Sequence, residues 1–351
     1  MSVFDVHNHF IVEEYLERIS QDGNVYGERL DQGDGEPIIV MANGMAYTVV
    51  DSLHTSKAVL QEMDAAGIDR ALLSPPPTVF HYELDADVAG GHARVLNDGL
   101  ARVAADSGGR LFAAAFVPLQ DTEGAVRELE RCVSTLGMRA VHICSHVMGH
   151  NLDDDRFEEF FRAAEADRVL ILVHPWNVAG GERLRKYHLG NSVGNPMETA
   201  IAAASLLFGG VMERFPELRV CLSHAGGALP YIIGRFDRAY DIRPEARVKI
   251  KERPSRLISR FYFDSIAHSP MALDYLIRLV GWRQVLLGSD FPFHLQDMGD
   301  PAPVESVRAI QNLQPYGLEG ILGGNLEMLL GISAGDGGGD GVGDGQGWDS
   351  V

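Results

Sequence analysis

Positive charge is scarce in this chain. The sequence has 49 Asp and Glu residues but only 30 Lys and Arg, which gives a formal net charge of −19 over 351 residues. Nucleic acids and anionic membranes both select clustered basic side chains, so we expect neither as a partner. An anionic small molecule remains compatible, because a binding site can be locally positive inside an acidic protein.

Cysteines and long apolar stretches are also scarce. The three cysteines are Cys132, Cys144 and Cys221. A small and odd number of cysteines fits a reducing compartment better than a disulfide framework. No apolar run approaches the roughly 20 residues needed to span a bilayer, and the first residues carry no export signal. We therefore expect a cytoplasmic protein.

Short apolar runs alternate with amphipathic segments along most of the sequence. The apolar runs are rich in Val, Ile, Leu, Phe and Ala, which predicts parallel strands buried on both faces. These predicted strands cover residues 3–9, 70–74, 111–118, 139–144, 169–174, 218–224, 261–266 and 285–289. Predicted helices cover residues 56–66, 123–136, 157–166, 196–215, 271–280 and 303–313. This alternation favours a (β/α)8 TIM-like barrel of the α/β class over an open sheet.

Two regions depart from the alternation. Residues 21–50 form an insertion after the first strand that is too long for a simple connection, so we interpret it as a possible lid. Residues 334–351 read AGDGGGDGVGDGQGWDSV and have almost no apolar content, which predicts a disordered tail without a chemical role. We therefore predict one barrel domain over residues 1–333, followed by this tail.

The segment DVHNH at the end of the first predicted strand carries two histidines. Side chains alternate along a strand, so His7 and His9 share one face and Asn8 points the other way. Two imidazoles at this spacing can supply adjacent ligands to a divalent metal. The pair alone is a weak signal, because a polar pair near a strand end is often incidental.

Three more polar residues follow predicted strands at equivalent places. His174 follows VLILV, His224 follows VCLS, and Asp290 follows VLLGS. In a barrel the carboxyl ends of all strands meet at one face, where active sites are built. Any one of these residues could be a buried core histidine or a helix-capping aspartate. Their coincidence after several buried strands indicates a metal site, since polar groups buried there are costly if nothing binds them.

The remaining histidines are weaker candidates. Polar helix-like or loop-like surroundings predict surface positions for His54, His92, His150 and His188. Histidines nearer to strand ends, which could line a pocket, are His81, His142, His146, His268 and His294. We assign no individual role to any of them.

The segments DVHNH, LVHPWN, LSHAGG and LGSDFPF together resemble the decarboxylase branch of the amidohydrolase superfamily. Phrases such as LQEMDAAGI and GGVMERFPELRVCLSHAGGALPY are similar to those of the aminocarboxymuconate-semialdehyde decarboxylases of that branch. The resemblance covers nearly the whole chain, from residue 3 to about residue 331. It implies a metal-dependent decarboxylase that needs no organic cofactor.

The resemblance also implies a metal centre. One zinc ion per chain, or another divalent metal, would be bound by His7, His9, His174 and Asp290. His224 would then be the catalytic base and not a permanent ligand. The physical logic agrees, because a catalytic zinc keeps an open position for water, and a neutral imidazole nearby can take up and return a proton.

Family members grip the substrate carboxylate with two arginines, one of them from the neighbouring subunit. Arg235, in GRFDRAY, matches the interface arginine, which implies a homodimer as the active unit. The other arginine is replaced by Thr48, and a tryptophan of the pocket loop is replaced by Asn191. A desolvated carboxylate clamp is a strong, geometrically specific interaction. Its absence leaves the identity of the small carboxylate substrate open.

We therefore expect a zinc-dependent decarboxylase of a small unsaturated or aromatic carboxylic acid. Two routes are open: water activated by His224 adds to the substrate before carbon dioxide leaves, or the substrate's own oxygens bind the metal while an acid protonates the ring carbon. The alternative function is hydrolysis or hydration at the same site, because one fold hosts many reactions. The retained His224 argues against a third reading, a metal-binding protein without catalysis.

Overall fold

The computed structural model describes residues 2–21, 24–31, 35–293, 298–311 and 313–332. Its strands are β1 (Phe4–His9), β2 (Arg29–Asp31), β3 (Ile38–Val40), β4 (Ala46–Thr48), β5 (Arg70–Ser74), β6 (Leu111–Phe116), β7 (Ala140–Cys144), β8 (His146–Val147), β9 (His150–Asn151), β10 (Leu170–His174), β11 (Arg219–Leu222), β12 (Phe261–Asp264) and β13 (Val285–Leu286). Eight of them form one parallel sheet in the order β1-β5-β6-β7-β10-β11-β12-β13. The predicted barrel is confirmed.

Hydrogen bonds between the first and last strands close the sheet into a barrel. The Val6 amide donates to the Leu287 carbonyl, and the His9 amide donates to the Phe291 carbonyl, both at 2.8 Å. Asn8 and Phe291 also form a parallel bridge. Closure removes the edges that an open sheet would expose and brings the first and last strands side by side.

Helices pack around the outside of this barrel. They are α1 (Glu13–Ile19), α2 (Asp51–His54), α3 (Ser56–Ala66), α4 (Ala86–Ala105), α5 (Thr122–Ser134), α6 (Glu158–Ala166), α7 (Asn195–Phe208), α8 (Val211–Arg214), α9 (Leu229–Ile242), α10 (Pro254–Leu257), α11 (Pro270–Val280), α12 (Pro303–Arg308), α13 (Pro315–Glu319) and α14 (Asn325–Leu330). None of the described helices is both long enough and apolar enough to cross a bilayer.

The barrel interior is filled with apolar side chains. Phe4, Val6, Leu72, Ala114, Ala140, Leu170, Leu172, Cys221 and Leu286 belong to one buried cluster. Each large side chain buried in this way contributes roughly 1.5–3 kcal/mol through the hydrophobic effect. His9, His174 and Asp264 stand at the carboxyl ends of their strands, above this packed floor.

All eight predicted barrel strands are present, with ends up to three residues shorter. The sixth, predicted for residues 218–224, ends at Leu222 because the chain turns into left-handed conformation at His224. The helix predicted for residues 196–215 is split into α7 and α8 at Gly210, whose φ is 74°. Both differences arise from local backbone turns that apolar periodicity does not reveal.

The longest helix among the described residues, α4, is missing from the predicted set. Its sequence contains Gly90, Gly91 and Gly99, which weaken a helical pattern. Gly99 serves packing: a Cβ atom there would lie 2.7 Å from Cβ of Val12, just before α1. The helix therefore forms because it packs closely on its neighbours.

The insertion over residues 21–50 is partly ordered as a small antiparallel sheet. In its described part, β2 pairs with β3, and β3 pairs with β4. Its role as a lid stays a prediction. The predicted tail, residues 334–351, lies outside the described residues.

Buried polar contacts fasten the insertion to the barrel. The Tyr15 hydroxyl donates to Oε2 of Glu28 at 2.5 Å and lies 2.8 Å from Nε2 of His81. The Tyr26 hydroxyl lies 3.0 Å from Nδ1 of His92 in α4. The start of the insertion is therefore held between α1, α4 and the loop after β5.

Candidate metal centre

Four of the predicted side chains meet at the carboxyl end of the barrel. One ligand atom from each lies within 4.8 Å of the others, and all are buried: His7, His9, His174 and Asp290. Nε2 of His7 lies 3.1 Å from Nε2 of His9. Oδ1 of Asp290 lies 3.1 Å from Nε2 of His9 and 3.5 Å from Nε2 of His7. The structure thus brings together residues from the first, fifth and last barrel strands.

The electrostatic state of these groups suits a cation. Burial lowers the pKa of His9, and it lowers the pKa of His174 well below the ordinary value. Burial acts in the same direction on His7, but the charge of Asp290 and the hydrogen bond with Asp264 raise its pKa to about 9. Neutral His9 and His174 therefore offer lone pairs, whereas His7 has to release a proton before it can bind a metal.

Asp290 completes the donor set. Burial opposes its ionisation, yet the charge of His7 and a hydrogen bond with His224 hold its pKa well below the ordinary value. Its Oδ1 atom is buried and accepts no hydrogen bond from the described residues. Once His7 has released its proton, the converging imidazole nitrogens and the Asp290 oxygen repel each other unless a cation lies among them. Three imidazoles and one carboxylate therefore fit a divalent metal ion.

Two buried carboxylates beside the ligands were missed by the sequence analysis. Asp264, at the end of β12, accepts a hydrogen bond from Nδ1 of His7 at 2.7 Å. Asp5 accepts hydrogen bonds from the Ser289 hydroxyl at 2.5 Å and from the His7 amide at 3.0 Å, and burial raises its pKa to about 6. Asp264 follows the apolar run FYF, so the strand-end rule that identified Asp290 could have found it.

His224 lies beside the four candidate ligand residues in a tight turn. Its φ is 56°, and that of Ala225 is 54°, both in the left-handed region that costs free energy without glycine. Nε2 of His224 lies 3.6 Å from Oδ2 of Asp290. Its Nδ1 atom is buried without a hydrogen-bond partner among the described residues. A strained imidazole beside a ligand carboxylate is placed to exchange protons with a bound molecule.

The turn that carries His224 is pressed against the start of α7. A Cβ atom at Gly227 would lie 2.1 Å from the Pro196 carbonyl oxygen, and the φ of Gly227 is 58°. Only glycine fits such a close approach of two backbones. The position of His224 therefore depends on the contact between this turn and α7.

A cavity of about 560 Å³ opens beside His224 and Asp290. Asn191 lines it, together with Tyr231, His268 and Tyr275, while its predicted contact with substrate stays a prediction. No lysine or arginine is among the lining residues that the structure describes. A carboxylate bound here therefore has to be matched by a metal ion or by a charge from elsewhere.

Two predicted substrate-binding residues are not brought to this cavity. Thr48 lies in β4, where it pairs with Ile38 of the insertion sheet, and it is not among the lining residues. Arg235 is exposed on α9, about one turn beyond Tyr231, and forms no ion pair with the described residues. Both roles remain predictions.

The other histidines give a mixed outcome. His92 was predicted at the surface and is buried, with 1% of its surface exposed, so that prediction is wrong. His268 lines the cavity, and His142 packs its ring 5.7 Å from His9 and 5.6 Å from His174. His294 lies outside the described residues.

Comparison with known proteins agrees with the sequence resemblance. The family model described as amidohydrolase matches residues 4–332. A curated relative, the 2-amino-3-carboxymuconate-6-semialdehyde decarboxylase of Dictyostelium discoideum, is 32% identical over 330 residues. The match covers 93% of this chain and 91% of the relative.

Solved structures share the fold. IDCase of Metarhizium anisopliae in apo form has a TM-score of 0.83 at 20% sequence identity, covering 94% of this chain and 97% of that chain. A dihydroxybenzoic acid decarboxylase of Polaromonas sp. JS666, solved with bound manganese and the inhibitor 2-nitroresorcinol, has a TM-score of 0.74 at 23% identity. That match covers 94% of this chain and 97% of the other.

Proposed function

Because this chain belongs to the amidohydrolase family, we propose that it is a metal-dependent decarboxylase of a small unsaturated or aromatic carboxylic acid. Such an enzyme is a carbon-carbon lyase that releases carbon dioxide. The Dictyostelium relative is named for this reaction on an aminocarboxymuconate semialdehyde, and the Polaromonas structure is named for it on a dihydroxybenzoic acid. Both are small carboxylic acids, which is the substrate class that we propose.

One observation carries the proposal. A buried set of three imidazoles and one carboxylate lies against a cavity whose wall includes His224 and Asp290. Breaking the bond to a carboxyl group leaves an electron pair on carbon, so the reaction needs nearby positive charge and a proton donor. In this proposal a metal ion held by the four residues would supply the positive charge, and His224 would supply the proton.

We assign His7, His9, His174 and Asp290 to one divalent ion, with zinc as the first choice. When bound, the ion supplies the positive charge that stabilises negative charge developing on the substrate. A four-donor set rich in imidazole is typical of zinc, and the manganese in the Polaromonas structure supports a divalent ion in general.

His224 is the catalytic base in this proposal. Its Nε2 atom faces the ligand carboxylate Asp290 across 3.6 Å, and the residue lines the cavity. In the route that begins with addition of water, it can take a proton from the water that adds to the substrate and deliver that proton to the carbon that keeps the electron pair when carbon dioxide leaves. Its backbone turn holds it at the wall of the cavity, which supports a role in proton transfer.

We further propose that the active unit is a homodimer in which Arg235 reaches the neighbouring site. The cavity has no described lysine or arginine of its own, while Arg235 is exposed on α9. Tyr231 on the same helix is 87% exposed, and Met271 at the cavity wall is 83% exposed. Exposed apolar side chains around a pocket mouth are typical of an interface. They support a second subunit here.

Asn191 is proposed to contact the substrate directly, because it lines the cavity. Thr48 is proposed to act on substrate choice from the insertion, where family members carry a carboxylate-binding arginine. The three cysteines are free and buried, which supports a reducing compartment such as the cytoplasm.

A carbon dioxide release assay tests the function. Zinc-loaded protein is incubated with aminocarboxymuconate semialdehyde, its hydroxy analogue and ortho-hydroxybenzoates, and both substrate loss and carbon dioxide are measured. We expect equal amounts of each for at least one acid, and His224→Ala should lower kcat by about 10²–10⁴-fold. Substrate loss without carbon dioxide would show hydrolysis or hydration. An unchanged rate in His224→Ala would remove the assigned base.

Metal analysis tests the ligand set. Protein purified without added zinc should contain close to one divalent ion per chain, and His174→Ala should lower that content because one donor is lost. His150→Ala is the matched control, since its side chain is 43% exposed and lies away from the four ligands. Equal metal content in both variants would contradict the assignment of His174.

A further inference from the structure

Asp264 accepts four hydrogen bonds through one buried carboxylate. Its Oδ2 atom accepts from Nδ1 of His7 at 2.7 Å and from the His224 amide at 2.8 Å. Its Oδ1 atom accepts from the Ala225 amide at 2.7 Å and from the Ile266 amide at 3.1 Å. Asp264 is 1% exposed, so its carboxylate depends on these donors and not on bulk water.

Backbone amides can only donate, so both oxygens of Asp264 have to be acceptors. The Asp264 carboxylate then leaves only one tautomer open to a metal-bound His7, with the proton on Nδ1 and the lone pair on Nε2. Nε2 is the atom that faces Asp290 and His9. A carboxylate behind a histidine in this manner fixes the ring and favours metal binding at the far nitrogen.

The same carboxylate holds the turn of His224. Two of its donors are the amides of His224 and Ala225, whose φ angles of 56° and 54° are unfavourable for residues with side chains. Two charge-assisted hydrogen bonds offset part of this strain. Without these two hydrogen bonds, the strained turn that holds His224 at the cavity would be less stable.

We propose that Asp264 is a positioning residue that couples the two halves of the site, fixing the His7 tautomer for metal binding and the backbone turn of His224 with one carboxylate. The inference rests on the proposed metal centre and deepens it. Its consequence is that metal affinity and the placement of His224 change together when Asp264 changes.

Asp264→Asn is the discriminating substitution. An asparagine amide has one acceptor oxygen and one NH2 group. At the Oδ1 position the NH2 group would meet two backbone amide donors, and at the Oδ2 position it would meet the His224 amide and the His7 ring. If it faces Ala225 and Ile266, the turn loses its acceptor. If it faces His7, the ring has to accept at Nδ1 and carry its proton on Nε2, the atom needed for the metal.

Asp5→Asn is the matched control, because Asp5 is equally buried but contacts no imidazole nitrogen. One of its oxygens accepts from the Ser289 hydroxyl, which can reverse and accept from an asparagine NH2 group. The control removes a buried carboxylate beside the same ligand strand while leaving the His7 tautomer alone.

The experiment measures zinc dissociation constants by competition with a chromogenic chelator, using zinc alone. We expect Asp264→Asn to bind about 10–100-fold more weakly than the wild type. The change for Asp5→Asn should be much smaller. Equal affinities in wild type and Asp264→Asn would overturn this inference and leave the metal centre standing. Absence of zinc binding by the wild type would overturn both.

A second measurement needs no substitution and covers the case in which Asp264→Asn fails to fold. Long-range proton–nitrogen NMR spectra of the zinc-loaded wild type, labelled with ¹⁵N in histidine, report which ring nitrogen carries the proton. We expect a slowly exchanging proton on Nδ1 of His7, assigned by its proximity to the His224 amide. A His7 ring without a proton on Nδ1 would overturn the inference.

Discussion

At the scale of single residues, His92 shows how burial fixes a protonation state. Its Nε2 atom donates to the Val79 carbonyl at 2.7 Å, so its Nδ1 atom accepts from the Tyr26 hydroxyl at 3.0 Å. In neutral His92, both ring nitrogens therefore form hydrogen bonds, one as donor and one as acceptor. Burial, helped by the charge of His81, lowers the pKa of His92 to about 3.

This environment predicts a pH dependence of stability. In the unfolded chain the pKa of His92 is about 6.5, so between about pH 3 and pH 6.5 the unfolded state binds more protons than the folded one. The contribution of neutral His92 to the free energy of unfolding is fully present above pH 6.5 and is lost as the pH falls. The free energy of unfolding then changes by at most about 1.4 kcal/mol per pH unit because of this residue. His92→Gln should therefore flatten the fall in the free energy of unfolding between pH 6.5 and pH 4.

Urea denaturation at a series of pH values measures this slope. His150→Gln is the control, since His150 is half-exposed and lies outside the network around His92. A wild-type slope retained in His92→Gln would show that other groups cause the acid sensitivity. The absolute stability of the variant can be lower without affecting the comparison of slopes.

Much of the candidate site was visible in the sequence for one physical reason. A polar residue at the end of a buried strand is unusual enough to identify His7, His174 and Asp290 without coordinates. The role of Asp264 was not visible, because it depends on which backbone amides face its oxygens. His92 was wrongly predicted at the surface, because the glycines of α4 weaken its helical pattern. His92 lies on the buried face of that helix.

At the scale of elements, the turn between β11 and α9 sets the position of His224, the proposed base. Gly227→Ala would place a Cβ atom 2.1 Å from the Pro196 carbonyl oxygen, at a φ of 58° that favours glycine. The turn and the start of α7 would have to separate. We therefore expect a lower melting temperature and a kcat reduced by at least about 10-fold, because His224 moves with the turn.

Gly234→Ala is the control for this substitution. Gly234 lies inside α9, and a Cβ atom there meets nothing within 4 Å. Alanine should stabilise the helix by about 0.5–1 kcal/mol and leave kcat unchanged. Thermal unfolding and turnover of the two variants, measured side by side, distinguish displacement of His224 from a general effect of added methyl groups. Wild-type kcat in Gly227→Ala would show that His224 tolerates the shift.

The elements themselves were predictable to different degrees. Buried parallel strands consist of short apolar runs, so all eight were found by composition alone. The strands β2, β3 and β4 are only three residues long and partly exposed, and such strands leave no clear period-two pattern. Their pairing is a property of the folded insertion packed on the barrel, which a local pattern does not contain.

At the scale of the whole molecule, the proposed dimer makes each site depend on two chains. Arg235→Ala and His224→Ala should each be nearly inactive alone. Mixed and allowed to exchange subunits in equal amounts, they should regain about a quarter of wild-type activity, because half of the dimers are mixed and each has one complete site. Activity equal to the sum of the separate variants would contradict a shared site.

The junction between the first and last barrel strands, β1 and β13, has a consequence for biosynthesis. The Asp290 amide donates to the His7 carbonyl at 2.8 Å, so the two ends of the ligand set are neighbours in space although they are far apart in sequence. On the ribosome, a growing chain exposes its His-x-His pair long before β13 exists. Contacts across such a separation form late, because the entropy of closing the loop has to be overcome first. A tightly held ion would therefore mark a chain that has been translated past β13 and whose barrel has closed.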